Sequence, residues 1–267
     1  MGEKPAWSFE GQYFVVTGGS QGIGGAAAEL MAERGAAGIA ICGRDQDKLD
    51  SMAAKLKDKG CETVAISADL QHVDACFRVI DLAAETFGQL NGLVNAAGFT
   101  ERGTIDDTSS ELWDMQFHVN ARAPFFLIQR ILPHLRRAGG GTIVNVQSIV
   151  AHGGPPFIAA YCSAKGALSV LTKNVANAVA KDRVRVNGLN MGWTATPNEH
   201  VIQTRFHDRP ENWLDEVDAQ QPFGRLLRPL DVGRAIAFLA SDDSGLMTGS
   251  IVDFEQHIIG GFPQAEI

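Results

Sequence analysis

Tyr13-Phe14-Val15-Val16-Thr17-Gly18-Gly19-Ser20-Gln21-Gly22-Ile23-Gly24 is the stretch whose reading decides the fold. Tyr13 to Thr17 is a short, apolar, β-rich run, which predicts a buried strand. Glycines follow at once, and residues 26–34 then read as a helix ended by Gly35. Glycine between a strand and a helix lets the backbone turn tightly and approach a ligand closely. The helix start offers unpaired N–H groups and the positive end of a dipole to a phosphate. An ordinary glycine-rich turn could carry the same residues, but the strand–turn–helix context favours dinucleotide binding. Gly18, Ser20, Gln21, Gly22, Ile23 and Gly24 are therefore the first candidate cofactor residues.

The same alternation continues outward. Residues 38–42 predict a second strand, which Gly43-Arg44 ends. In a dinucleotide-binding βαβ unit, this strand end reads the adenosine ribose. Gly43 supplies no carboxylate for a 2′-hydroxyl, and the Arg44 guanidinium suits a 2′-phosphate, so NADP is expected over NAD. Residues 45–59 predict a helix capped by Gly60, and residues 63–67 a third strand followed by Asp69 and Leu70. A helix at 73–87 and a fourth strand at 90–95, followed by Ala96-Ala97-Gly98, come next. Residues 108–137 predict a long, mainly helical stretch with Pro124 at a bend or helix start and Pro133 near its end. A fifth strand at 141–146, a helix at 158–179 and a sixth strand at 184–189 follow. A helix at 231–239 and a seventh strand at 250–254 complete the pattern. Alternation with short loops predicts a mostly parallel sheet with helices on both faces. No repeat, low-complexity tract or linker interrupts it, so residues 1–267 read as one domain. Residues 199–221 are polar, with Phe206, Trp213 and Val217 scattered through them. With the turn before them they read as a substrate lid at about 193–221, although an ordinary surface helix pair fits as well.

Tyr161-Cys162-Ser163-Ala164-Lys165 carries the chemistry. Around it Ala160, Ala164, Ala167, Leu168, Leu171 and Val175 recur at helical steps. Residues four apart share a helix face, so a phenol and an ammonium reach one place. The ammonium favours the phenolate and is expected to lower the Tyr161 pKa from its free value near ~10. That makes the phenol a usable general acid/base. Alone, this spacing fits a surface tyrosine and a solvated lysine; its surroundings argue otherwise. Ser148 leaves the C-terminal edge of the fifth strand, where open α/β sheets bind ligands, although a turn serine reads the same. Asn120 is polar within an apolar-rich stretch, and a buried Asn needs partners.

Composition narrows the partners. Hydrophobic residues make up 45% and charged residues 20%, so a sizeable core can form. A net charge of -8 argues against a nucleic-acid or anionic-membrane surface. Cys42, Cys61, Cys76 and Cys162 form no C-x-x-C pair and no His cluster accompanies them, so free buried thiols are expected and no metal site. Residues 1–7 lack an apolar signal core, Ala6 stands where a myristoylation signal wants Ser or Thr, and no apolar run approaches the ~20 residues of a membrane span. A cytoplasmic protein is expected.

Over nearly its whole length the chain resembles the short-chain dehydrogenase/reductase family. The resemblance rests on Thr17-Gly18-x-x-x-Gly22-x-Gly24, Asp69, Asn95-Ala96-x-Gly98, Asn120, Ser148, Tyr161-x-x-x-Lys165 and Asn190-x-Gly192 with Thr196. It implies an α/β, Rossmann-type doubly wound fold with a seven-stranded parallel sheet. It implies hydride transfer between NADP, or alternatively NAD, and an alcohol/carbonyl pair. Tyr161 would be the acid/base, and Lys165 would depress its pKa and hold the nicotinamide ribose. Ser148 would bond the reacting oxygen, and Asn120 would support a water-linked proton path to Lys165. Asp69 with Leu70 would meet the adenine, while Asn95, Ala96, Gly98 and the turn carrying Gly192, Thr194 and Thr196 would line the cleft. Family members assemble as tetramers, so a homotetramer is implied.

Four positions depart from the family pattern. Ala96 replaces a second Asn, Gln21 a basic residue, Met191 a Pro, and Phe254-Glu255 a Gly-Gly pair. None belongs to the proton-transfer set. A catalytically silent nucleotide-binding scaffold or redox sensor is the rival reading, but binding alone needs no activated phenol. An epimerase or dehydratase of the related extended branch fits the Tyr/Lys pair and not the glycine spacing. The segments expected to line the substrate pocket are 99–108, 150–157 and 193–221. They mix Arg102, His152, Glu199, His200 and Gln203 with aromatics, which points to a polar substrate such as a sugar or polyol rather than a steroid.

Overall fold

The computed structural model describes residues 7–259. Its strands are β1 (Tyr13–Thr17), β2 (Gly38–Gly43), β3 (Glu62–Ser67), β4 (Gly92–Asn95), β5 (Gly141–Ser148), β6 (Val184–Met191) and β7 (Ile251–Phe254). They form one sheet in the order β3-β2-β1-β4-β5-β6-β7, and every neighbouring pair is parallel. The helices are α1 (Gly22–Glu33), α2 (Gln46–Asp58), α3 (Val73–Phe87), α4 (Ser110–Phe117), α5 (Ala123–Arg137), α6 (Ala159–Val179), α7 (Pro197–Phe206), α8 (Trp213–Ala219) and α9 (Pro229–Ala240).

Helices on both faces explain why the strands read as unbroken apolar runs. Phe14, Val16, Ile39 and Ile41 pack with Met31 of α1, Leu49 of α2 and Ile236 of α9. Their alternates Val15, Leu93, Ile143 and Val186 pack with Ile80 of α3 and Leu127 and Ile131 of α5. From β1 the chain winds outward to β3, then returns past β1 to β4 and winds the other way. The C-terminal ends of β1 and β4 therefore part their loops and open a crevice, where doubly wound sheets bind ligands.

Two local differences from the sequence reading matter for the site. First, α1 starts at Gly22, four residues earlier than propensity suggests. A Cβ on Gly24 would lie 2.5 Å from the Gly18 carbonyl oxygen, so glycine lets the helix begin hard against the strand exit. Second, a π-helical turn, His118–Arg122, separates α4 from α5. Pro124 has no N–H to give the Asn120 carbonyl, and the Ala123 N–H reaches back five residues to the His118 oxygen.

Segment 193–221 contains α7 and α8, with Trp213, Val217 and Leu226 in a small core of their own. Among the described residues no helix is long and apolar enough to cross a membrane, and no cluster of His, Cys, Asp and Glu could hold a metal ion. The four cysteines are free thiols. Burial pushes Cys42 up to about 12 and Cys61 and Cys76 to about 11, so these three stay protonated. Residues 1–6, on which the expectation about a signal segment rested, lie outside the described residues.

Candidate active site

The crevice floor is tied together by side chains at matching register. Thr17, Asn95 and Asn145 stand side by side on β1, β4 and β5. Thr17 Oγ1 accepts from the Ala96 and Ala97 amides, each at 3.0 Å, which fixes the exit of β4. Asn95 Nδ2 donates to Asn145 Oδ1 at 2.8 Å, and Asn145 Nδ2 to Thr172 Oγ1 of α6 at 2.9 Å. Asn95 is buried, so it supports the cleft from beneath rather than facing a ligand. Leu70 is likewise buried in the core. Asp69 accepts from the Gln71 amide at 3.0 Å and from Gln71 Nε2 at 3.2 Å, so both its oxygens cap the loop before α3.

Around that floor lie the anion-facing groups. The α1 N-terminus has no side-chain cap and no acid in its first turn, so its first N–H groups remain to be satisfied. A Cβ on Gly18 would come within 2.9 Å of the Ala97 Cα, which only glycine avoids. A Cβ on Gly43 would stand 3.1 Å from Ser20 Oγ, so the end of β2 and the glycine turn adjoin. Arg44 is exposed beside them. Across the crevice, Thr194 Oγ1 donates to the Gly192 carbonyl at 3.0 Å, and Thr196 Oγ1 caps α7 by accepting the Glu199 amide at 3.0 Å. Two departures from the family pattern meet here. Glu255 Oε2 accepts the Trp193 amide at 3.2 Å, and a Cβ on Gly192 would run into that carboxylate. Glu255 thus braces a turn that has Met191 where the family has proline.

The proton-transfer set converges at the end of β5. Ser148 Oγ accepts the Val150 amide at 3.4 Å and stands near enough to the Tyr161 phenol to favour its ionised form. Lys165 is buried, its Nζ donates to the Val146 carbonyl at 3.0 Å, and it lies 5.6 Å from the Tyr161 ring centroid. Burial pulls Lys165 down to about 8. Burial pushes the Tyr161 phenol above the ordinary tyrosine range, and the nearby Ser148 hydroxyl only partly opposes it. The expectation that Lys165 lowers the Tyr161 pKa is thus corrected. The ammonium lies over the ring with its bond given to Val146, and desolvation outweighs it. Asn120 is fully buried at the π turn. Its Oδ1 accepts the Phe99 amide at 3.2 Å, and its Nδ2 faces Phe99 O at 2.7 Å, Gln116 O at 2.9 Å and Gln116 Oε1 at 3.1 Å. Those partners occupy its side chain, so Asn120 acts here as a clamp between the β4 exit and α4. Gly98 lies against it, with a Cβ position 3.6 Å from Asn120 Oδ1.

Of the polar residues expected in the pocket, the structure brings together Arg102, Glu199 and Gln203. Glu199 Oε1 accepts from Trp193 Nε1 at 2.8 Å and from Gln203 Nε2 at 2.7 Å. Arg102 Nε donates to His207 Nε2 at 3.0 Å. The other two point elsewhere. His152 pairs with Asp253 of β7 at 3.0 Å, and His200 joins Trp213 at 3.0 Å and Glu211 at 2.9 Å within the α7–α8 unit. Trp193, His207 and Phe157 were not singled out from sequence. The four-residue spacing of Glu199, Gln203 and His207 was the signal that could have found the histidine.

A family model described as Enoyl-(Acyl carrier protein) reductase matches residues 18–256. Dehydrogenase/reductase SDR family member 4 of Caenorhabditis elegans is 36% identical, with 97% of each chain covered. Cis-4-hydroxycyclohexanecarboxylate dehydrogenase of Sinomonas cyclohexanicum is 34% identical over 94% of this chain and 96% of that protein. Among solved structures, L-sorbose reductase from Gluconobacter frateurii, complexed with NADPH and L-sorbose, matches with a TM-score of 0.89. It is 28% identical and covers 94% of this chain and 98% of its own.

Proposed function

The chain belongs to the short-chain dehydrogenase/reductase family, and from that premise we propose that it interconverts an alcohol and a carbonyl on a small polar substrate, with NADP preferred over NAD. The observation that carries this reading is the placing of buried Lys165 5.6 Å from the Tyr161 ring centroid, with Ser148 at the end of β5 close by, at the crevice where an uncapped α1 N-terminus stands. The cradle fits a dinucleotide. Gly18 tolerates no side chain, the first turn of α1 presents unsatisfied N–H groups, and Arg44 is exposed beside Ser20. When bound, the nicotinamide cofactor supplies or takes up the hydride.

The chain's own residues manage the proton. Ser148 bonds the reacting oxygen and aligns it with the Tyr161 phenol. In the reducing direction Tyr161 Oη gives its proton to the carbonyl oxygen, and in the oxidising direction it takes the proton back. Lys165 is assigned to the nicotinamide ribose, since its ammonium does not bring the Tyr161 pKa down in the free protein. The raised phenol pKa means the free protein holds Tyr161 protonated, ready to act as an acid. Gly18 to Gly24, Arg44, Asp69 and the turn from Gly192 to Thr196 are assigned to the cofactor. Segment 193–221 is assigned to the substrate as its lid, and the protein is assigned to the cytoplasm as a homotetramer. The L-sorbose named for the structural relative supports a sugar or polyol as substrate.

The test is to incubate purified protein with NADP or NAD and a panel of polyols, sugars, aldehydes and steroids while following absorbance of the reduced cofactor. Turnover with a polar alcohol or ketone is expected. Cofactor binding without turnover of any member would instead favour a silent nucleotide-binding scaffold.

A further inference from the structure

We propose that Arg102 and Glu199 form a two-pole clamp above Tyr161 that selects an uncharged polyhydroxylated substrate, over acids and over simple apolar alcohols. This rests on the reading of Tyr161 as the proton carrier. The clamp is built by α7. Glu199 and Gln203 lie one turn apart on that helix, and His207 follows its end. Glu199 Oε1 is held by two neutral donors, Trp193 Nε1 and Gln203 Nε2. Among the described residues its Oε2 takes no hydrogen bond and no cation lies within ion-pair range, so a charged acceptor is left over. Arg102 is the opposite pole. Its Nε donates to His207 Nε2, and its guanidinium lies 5.1 Å from the Phe157 ring centroid. Its terminal nitrogens make no hydrogen bond among the described residues, so charged donors are left over.

The backbone seats one pole beside the reacting group. The Gly103 amide donates to Phe157 O at 2.9 Å, and the Ala159 amide to Gly103 O at 3.3 Å, which seats Arg102 at the start of the helix carrying Tyr161. After burial and the Ser148 hydroxyl, Glu199 raises the phenol pKa and, behind Cys162, Arg102 lowers it, so the field of each reaches Tyr161.

Charge then decides the substrate class. A carboxylate would meet Arg102 but be opposed by Glu199, and an ammonium would meet the reverse. A purely apolar alcohol would displace water and leave both poles unpaired, which is unfavourable. A molecule with hydroxyls flanking the reacting carbon gives a proton donor to Glu199 Oε2 and acceptors to the Arg102 nitrogens. Trp193 and Phe157, each 37% exposed, offer ring faces to its C–H side.

The experiment compares kcat/KM on three cyclohexane alcohols, myo-inositol, cyclohexanol and cis-4-hydroxycyclohexanecarboxylate, with oxidised NADP as the hydride acceptor for alcohols and NADPH as the donor for the ketose control. Sorbitol and L-sorbose serve as open-chain and ketose controls. The polyols and the ketose should be preferred. Glu199→Gln and Arg102→Met should each reduce the polyol-to-cyclohexanol ratio of kcat/KM roughly ten- to a hundredfold, chiefly through KM. Cofactor binding, followed by fluorescence, checks that each variant is folded. Preference of the unmodified protein for cyclohexanol or the carboxylate would overturn the clamp and leave the proton-transfer reading standing. So would a Glu199→Gln variant whose ratio does not fall. Turnover of no alcohol at all, with cofactor bound, would overturn both.

Discussion

Lys165 is a buried cation without a buried anion. It is 3% exposed, and among the described residues no carboxylate lies within ion-pair range. Its folded pKa of about 8 lies below the unfolded value of ~10.4. Below pH 8 it is protonated in both states and the whole desolvation penalty applies, about 3 kcal/mol. Between pH 8 and ~10.4 the unfolded chain binds more protons, so stability from this group rises with pH there. Tyr161 has the opposite sign: its pKa is raised on folding, so its contribution is lost as pH climbs beyond ~10. Lys165→Met should therefore raise the Tm of the cofactor-free protein at pH 7, by a margin that narrows toward pH 10, while turnover is lost. A lower Tm at pH 7 would contradict the burial argument. Tyr161→Phe keeps the ring and removes the proton, so turnover should fall by about 10²–10⁴ with cofactor binding nearly intact. Substantial residual activity across pH would sink that assignment. Cofactor choice is set at the end of β2. A charge-assisted pair from Arg44 to a 2′-phosphate is worth ~1.5–3 kcal/mol, or roughly ten- to a hundredfold. Gln21 offers only a neutral bond, so the lower end is expected. Arg44→Ala should weaken NADP binding and spare NAD, and Gly43→Asp should shift preference to NAD. Titrating each cofactor against the three proteins decides this, and an unmodified protein that binds NAD as tightly as NADP would refute it.

At the scale of elements, what was legible from sequence was what periodicity and local chemistry encode. The bounds of β1 and α3 match their sequence reading residue for residue, because Tyr13–Thr17 is an apolar run and Val73–Phe87 an amphipathic one. The start of α1 was missed because glycine propensity argues against a helix, and only the contact of Gly24 with the Gly18 carbonyl overrides it. The π turn was missed because it depends on Pro124 and on Asn120 finding Phe99, a partner distant in the chain. Ser148, Tyr161 and Lys165 were legible as a set from strand-end placement and four-residue spacing. Their electrostatics were not, since desolvation depends on what α6 packs against. The role of Glu255 was equally hidden, because its partner Trp193 lies 62 residues earlier in the chain. The α7–α8 unit yields a prediction of its own. Trp213 is 2% exposed, bonds His200 and stacks on Trp193 at 6.0 Å between centroids. Trp213→Ala removes the anchor that holds α7, and with it the proposed clamp residue Glu199, in place. Substrate KM should rise with cofactor affinity unchanged, and hydrogen exchange should quicken in 197–219 but not in the sheet. Exchange that quickens throughout would mean that this small core stabilises the whole fold rather than the unit alone.

At the scale of the whole molecule, we assign exposed apolar residues to two candidate contact faces, one on the helices and one on the loops. On one, Phe125 of α5 is 43% exposed and Val170 of α6 is 71% exposed. Ile128 and Ile131 are buried within the chain, so the apolar residues of α5 divide between its own core and an outer face. On the other, Phe223 is 83% and Leu246 97% exposed. Side chains of this size left in water are a standing drive toward association, at about 25 cal/mol per Å² of apolar area buried. Two separate faces suit a tetramer better than a dimer, because each can serve one two-fold axis. The first face also connects to chemistry. Val170 lies outward on the helix that carries Tyr161 and Lys165 inward, and Phe125 lies just past the π turn that carries Asn120. Covering this face would hold the two helices in register around the site. Multi-angle light scattering at micromolar concentration should show a dimer or tetramer. Val170→Asp should reduce the assembly, because a carboxylate placed opposite its own symmetry copy is both desolvated and repelled. Its Tm should fall and become more dependent on protein concentration. Turnover should fall with it and recover in part at high protein concentration, whereas Leu246→Asp, on a face remote in sequence from both helices, should reduce assembly with a smaller loss of turnover. A monomeric unmodified protein would refute the assembly argument. Equal loss of turnover from the two variants would refute the link between the first face and the site.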